Sequence, residues 1–225
     1  MVLQAEEGRL TTPAVRVLVA TAVPAERDAV ARAFTGDILT VGVGPARAAA
    51  TTATTLAMFP YDLVVSAGIA GGFAPHAPVG SLVVADEITA ADLGAETPDG
   101  FLPVTELGFG AVTHRPPESL VRELAAATGA RTGAVLTVST VTGTAARAAA
   151  LRDRHPTALA EAMEGFGVAE AAAAHGVPVL EIRAVSNPVG PRDRAAWRIG
   201  DALAALTEGF GKLAPVLESW NRHDR

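Results

Sequence analysis

"DLVVSAGIAGG", residues 62–72, decides how the chain is read. Its first seven residues make a continuous apolar run, the pattern of a strand covered on both faces, and it enters the glycine-rich "AGIAGG". Working outward, similar runs lie upstream at 15–20 ("VRVLVA") and 37–44 ("DILTVGVG"). Others lie downstream at 80–89 ("GSLVVADEIT"), 132–140 ("TGAVLTVST") and 177–186 ("VPVLEIRAVS"). Helical patterns separate them: 24–34 and 45–59, each opened by proline, then 117–129, 144–155 and 163–176, and a long C-terminal helix over 195–220. Buried strands alternating with helices predict an α/β fold: a three-layer αβα sandwich around a largely parallel sheet. No linker or composition break divides the chain. The expectation is a single domain over 14–220 after a frayed tail at 1–13. Residues 90–117, rich in Gly, Pro and charge, read as an excursion of short strands or loops.

The 225 residues are 49% hydrophobic but only 4% aromatic, which predicts an aliphatic core packed around small residues. The net charge of −6 argues against nucleic acid or an anionic membrane as the main partner. With no cysteine there is neither disulfide nor thiolate chemistry, which fits a cytosolic protein. The N-terminal stretch lacks the apolar segment of a signal peptide, and no run approaches the length of a membrane span.

In open α/β sheets ligands bind beyond the carboxyl ends of the strands, and the candidate residues collect there. "AGIAGG" is neither G-x-G-x-x-G nor a Walker A loop; it reads equally as a tight turn or as backbone approaching a ligand. Glu26 and Glu164 start helices, where an isolated carboxylate is ordinarily a solvated charge favoured by the dipole. Arg183 is less ordinary. It interrupts an apolar strand and so requires a partner, Glu181 or a helix glutamate if the pairing is structural. The five histidines are scattered without metal-ligand spacing, and no G-x-S-x-G elbow is present, which removes metallohydrolase and serine hydrolase readings and predicts no metal and no cofactor.

Taken in order, "ATAVPAERDAV", "VGVGPARAAATTA", "VVSAGIAGGF", "VGSLVVADEI" and "AMEGFGVAEAAAAHGVPVLEIRAVSN" resemble the nucleoside phosphorylase/nucleosidase superfamily over residues 15–215. Within it, "SNPVGPRDRAAW" and "DLGAETPDGFLPVTELGFG" are most similar to the futalosine hydrolases, which cleave an N-glycosidic bond to release hypoxanthine in menaquinone biosynthesis. The resemblance implies a nucleoside phosphorylase-like fold with a mixed sheet and a small-molecule nucleoside as substrate. It also implies a homo-oligomer, with a dimer as the expected form. It places Glu26 as the base that activates water. Met163 and Glu164 fall at the ribose, with Arg183 near the water side of the sugar. Thr140 and Val141 fall along the base, and Asn187 at N7 of the purine. Ile69, with Ala70 and Gly71, stands where phosphorylases place a phosphate-binding hydroxyl, which favours water as nucleophile; Arg47 remains as an anion contact. A carboxamide at 187 suits the O6/N7 edge of hypoxanthine or guanine, whereas an ionised carboxylate would face the O6 lone pairs. Taken alone, Asn187 before Pro188 reads first as an Asx-type turn; together with the rest of the set it reads as recognition. Arg192 or Arg194 would meet the substrate's carboxylate arm, unless both belong to a solvated loop. The alternatives are a purine nucleoside phosphorylase or methylthioadenosine-type nucleosidase and, from another class, a non-catalytic binding member of the fold.

Overall fold

The computed structural model describes residues 15–220. The expected tail at 1–13 lies outside them. In chain order the elements are β1 (Val17–Thr21), α1 (Pro24–Ala31), β2 (Asp37–Thr40), α2 (Pro45–Met58), β3 (Leu63–Gly72) and β4 (Leu82–Ala90). They continue with β5 (Gly94–Thr97), β6 (Gly100–Pro103), β7 (Thr113–His114), α3 (Glu118–Thr128), β8 (Arg131–Thr137) and α4 (Ala145–Arg154). Last come β9 (Ala158–Ala162), α5 (Gly165–Ala174), β10 (Val179–Pro188), a single 3-10 turn at Arg194–Ala196, and α6 (Ile199–Ser219).

The main sheet has the order β10-β4-β8-β9-β3-β1-β2, with β7 on β4. It is mixed: β1–β2, β1–β3, β3–β10, β4–β8 and β8–β9 run parallel, while β3–β9, β4–β10 and β4–β7 run antiparallel. Because β10 also pairs with β3, strands β3, β10, β4, β8 and β9 close into a ring. β3 makes this possible by its length. Its first half, Leu63–Ser66, pairs with β1, and its far end, Gly71 and Gly72, pairs with β9.

Two apolar layers flank the sheet. On one face Ala48 and Leu56 of α2 and Phe166, Val168, Ala169 and Ala172 of α5 pack with Leu18, Val64 and Val135. On the other, Val30 of α1, Leu120 and Leu124 of α3, and Leu206, Phe210, Leu213 and Leu217 of α6 cover Val19, Val65 and Ile182. Burying each large aliphatic side chain contributes roughly 1.5–3 kcal/mol, so these two seams hold the helices to the sheet.

The helices and strands fall near where the apolar runs predict, though β2 and β8 stop early, at Thr40 and Thr137, and α6 starts late, at Ile199. Two further differences shape the site. "AGIAGG" is not a turn: the strand runs through it to Gly72, because β10 and β9 take up its hydrogen bonds on either side. The second is β9, "ALAEA", a strand with three alanines and little β propensity that forms because β8 and β3 flank it. As a result α5 opens at Gly165 rather than 163, and Met163 and Glu164 occupy the junction between strand and helix. The excursion at 90–117 holds the β5–β6 hairpin and the short β7. None of the helices is long and apolar enough to cross a membrane among the described residues.

Candidate active site

Glu26 is the third residue of α1, where a carboxylate can turn back onto the exposed N–H groups of a helix start. Here it does so inside the protein, at 3% exposure. One oxygen accepts from the backbone N–H groups of Ala22 (2.9 Å) and Val23 (3.3 Å), and the other from Ile69 N–H (2.9 Å). Burial pushes its carboxyl above the usual glutamate range; the Arg183 cation and the Ile69 and Ala22 N–H bonds pull the other way, and Glu164 adds to the rise. A buried carboxylate poised upward and fixed by three donors suits a general base.

Arg183 lies beneath it, 1% exposed, among three carboxylates. Its Nε donates to Glu181 (2.8 Å), one terminal nitrogen lies 3.3 Å from Glu164, and the same nitrogen donates to Ser66 Oγ (3.1 Å). Burial works against its charge, but Glu181, Glu164 and Glu26 outweigh that and raise its pKa. The guanidinium is therefore a fixed cation, and both partners the sequence offers, the neighbouring Glu181 and a helix-start glutamate, are taken at once. Gly68 leaves the room: a Cβ there would sit 2.5 Å from Glu26 Oε1 and 2.8 Å from an Arg183 terminal nitrogen.

Glu164, 6% exposed, stands immediately before α5 with its side chain turned away from the helix end, and Gly44 N–H donates to it across the site (3.3 Å). Asn187 follows a bulge in β10. Ser186 Oγ donates to its Oδ1 (2.9 Å) and its Nδ2 donates to Pro188 O (3.0 Å), so the carboxamide is oriented. The bond to Pro188 is the local turn chemistry the sequence also allows.

These groups open onto one cavity of about 530 Å3, a size that holds a nucleoside. Of the residues singled out in the sequence, Glu26, Ile69, Ala70, Gly71, Val141, Met163, Glu164, Asn187 and Arg194 line it. Arg183 lies behind the wall, reaching the cavity through Glu164. Thr140 is exposed outside the lining, because β8 ends at Thr137 and the chain turns before Val141. Arg192 is also outside; its guanidinium rests 5.6 Å from the Trp197 ring centroid, and that of Arg194 5.9 Å from it. Arg47 is exposed and likewise outside the lining. A larger open cleft of about 690 Å3 runs beside Arg115, Glu118 and Arg122, but those side chains are exposed and no buried charge converges on it.

Sequence reading passed over Trp197, Thr142 and Glu161, which also line the cavity. Glu161 is 5% exposed, with Thr142 N–H (2.8 Å) and Thr142 Oγ1 (2.5 Å) donating to its two oxygens. Burial pushes its carboxyl up against those two bonds. The missed signal was a charge as the fourth residue of an otherwise apolar five-residue segment, the same kind of signal that marked Arg183.

A model of the Phosphorylase superfamily matches residues 16–217. A futalosine hydrolase of Streptomyces coelicolor is 72% identical, covering 93% of this chain and 99% of its own length. One of Acidothermus cellulolyticus is 46% identical, covering 88% and 90%. Among solved structures, native futalosine hydrolase of Helicobacter pylori has a TM-score of 0.77 at 16% identity over 90% of this chain and 98% of that one, a likeness of fold.

Proposed function

We infer the reaction from the premise that this chain belongs to the phosphorylase superfamily. It is an N-glycosidic hydrolase that acts on futalosine and releases hypoxanthine; the relative 72% identical over nearly its whole length carries the substrate. The observation that carries the chemistry is the buried cluster in which Arg183 holds Glu164 beside Glu26 at the wall of a nucleoside-sized cavity that also presents Asn187.

Glycosidic cleavage builds positive charge on the sugar, so carboxylates on that side stabilise the transition state. In our reading Glu164 accepts from the ribose hydroxyls beside Met163. Glu26 takes a proton from water as its oxygen bonds C1′. The electron pair of the C1′–N9 bond passes to the base, which takes a proton from solvent and leaves as neutral hypoxanthine, while Glu26 returns its proton to solvent. Asn187 donates to the N7/O6 edge. Arg183 is a positioning residue: its guanidinium, 3.3 Å from Glu164, holds that carboxylate in place. Ile69 brings an aliphatic side chain where a phosphate would need a hydroxyl, while its N–H is spent on Glu26, which supports water as the nucleophile. Arg194, at the cavity rim on Trp197, is placed to meet the carboxylate arm.

We place the reaction in menaquinone biosynthesis, in the cytoplasm, in a homo-oligomer of single-domain subunits spanning 14–220. Exposed apolar residues support self-association: Val43 at the cavity wall (55% exposed), and Met58 (61%) and Phe59 (50%) at the end of α2. The test is to incubate the purified protein with futalosine, inosine and methylthioadenosine, with and without phosphate, and quantify the free base. Hypoxanthine from futalosine without phosphate is expected. Phosphate-dependent release from inosine, or adenine from methylthioadenosine, would overturn the substrate reading.

A further inference from the structure

We propose that Glu161 reads the N1 edge of the purine and sets the choice of a 6-oxopurine over a 6-aminopurine; this rests on the nucleosidase reading above. Glu161 on β9 pairs in register with Gly71 on β3, and Gly71 pairs with Asn187 on β10. The three form one row across adjacent strands, and all three line the cavity. The middle member has no side chain, and none fits: a Cβ on Gly71 would lie 2.9 Å from Val189 Cγ2 and 3.4 Å from Asn187 Nδ2. A carboxylate and a carboxamide therefore flank a strip of bare backbone, their α-carbons about 10 Å apart, two strand spacings. That gap admits the edge of a flat base.

The bonding state of Glu161 fits one kind of edge. The Thr142 backbone N–H can only donate, so the oxygen it meets is an acceptor, and Thr142 Oγ1–H donates to the other. Each oxygen keeps a second lone pair. A 6-oxopurine carries a hydrogen on N1, which such a carboxylate accepts. Adenine carries a lone pair on N1, which it would oppose. Asn187 discriminates less, because a carboxamide has both a donor and an acceptor end. The task of rejecting adenine falls to Glu161.

The test uses free bases, so it needs no turnover. Binding of hypoxanthine and adenine to wild type and to Glu161→Gln is measured by calorimetry, with a thermal melt to verify folding. Glutamine keeps the shape and a partner for Thr142 but not the charge. The expected result is that Glu161→Gln weakens hypoxanthine by about tenfold or more while adenine, relieved of the opposing carboxylate, binds more tightly by about threefold or more. Equal weakening of both bases would mean that Glu161 only holds the Thr142 loop, and would overturn the proposal, as would no change in either. Should the variant not fold, 1-methylhypoxanthine serves on the wild type: lacking N1–H, it is expected to bind about tenfold more weakly than hypoxanthine, and equal binding would overturn the proposal. If the bases behave as expected while wild type does not hydrolyse futalosine, the role of Glu161 stands and the substrate falls.

Discussion

Replacing Arg183 with methionine removes the single cation shared by Glu26, Glu164 and Glu181, which are 3%, 6% and 0% exposed. Methionine roughly fills the aliphatic volume, so the loss is one of charge and hydrogen bonds: the 2.8 Å bond to Glu181, the 3.3 Å pairing with Glu164 and the 3.1 Å bond to Ser66. Stripping one partner from a buried ion pair costs about 3–5 kcal/mol, because the other charge stays behind uncompensated. For a domain of this size that lowers Tm by about 6–20 °C. The loss depends on pH in a definite direction. Burial already raises Glu181 above the ordinary glutamate value against the pull of Arg183, and removing Arg183 raises it further. A carboxyl whose folded-state pKa lies above its unfolded one destabilises the fold above the unfolded pKa, and that penalty disappears as pH falls through the folded value. Arg183→Met should therefore regain stability between pH 8 and pH 5, while Lys or Arg losses at the surface would not. Thermal unfolding of both proteins at pH 5 and pH 8, at one protein concentration, measures this. A Tm drop that is the same at both pH values, or smaller than about 2 °C at pH 8, would refute the account of Arg183 as the counter-ion of three buried carboxylates.

Glu26→Gln is expected to lower kcat for hypoxanthine release by roughly 100-fold or more with little change in KM, and near-normal turnover would remove Glu26 from the chemistry. Because burial raises Glu26, the acid limb of kcat/KM in the wild type should lie at higher pH than an ordinary glutamate would give, and a limb at or below that value would contradict its role as base. Asn187→Asp puts a carboxylate against O6 and should cut kcat/KM for futalosine roughly 10- to 100-fold at neutral pH, with recovery on acidification; steady-state rates across pH decide it. Arg194→Ala should raise KM for futalosine roughly two- to fivefold, since its guanidinium is exposed, and leave KM for inosine alone. Arg192→Ala, outside the cavity wall, should change neither.

Much of the fold can be read in the chain because buried strands and amphipathic helices leave different periods, and prolines at 24 and 45 mark two helix starts. The glycines of "AGIAGG" mislead because glycine signals turns. Here three strands meet on extended backbone, and its role is closeness, with Gly68 against Glu26 and Arg183 and Gly71 beside Asn187. Arg183 stands out in the sequence because a charge in an apolar run demands a partner. Glu161 carries the same demand but sits among alanines that look helical, in a strand that exists only because its neighbours do. Which arginine turns toward the cavity is likewise not a property of "PRDRAAW"; it follows from how the 3-10 turn at Arg194–Ala196 hangs on Trp197.

The ring of strands also fixes an order in time. β10, near the end of the chain, inserts between β3 and β4, which are synthesised long before it. Until Val179–Pro188 has left the ribosome, the long β3 has a vacant flank, and Glu26 and Glu164 have no counter-ion, because that segment brings Arg183. The nascent protein thus carries unpaired strand edges for most of its synthesis, the state most open to misassociation. The core and the catalytic charges are completed by the same late event, so no partly made chain can hold a working site.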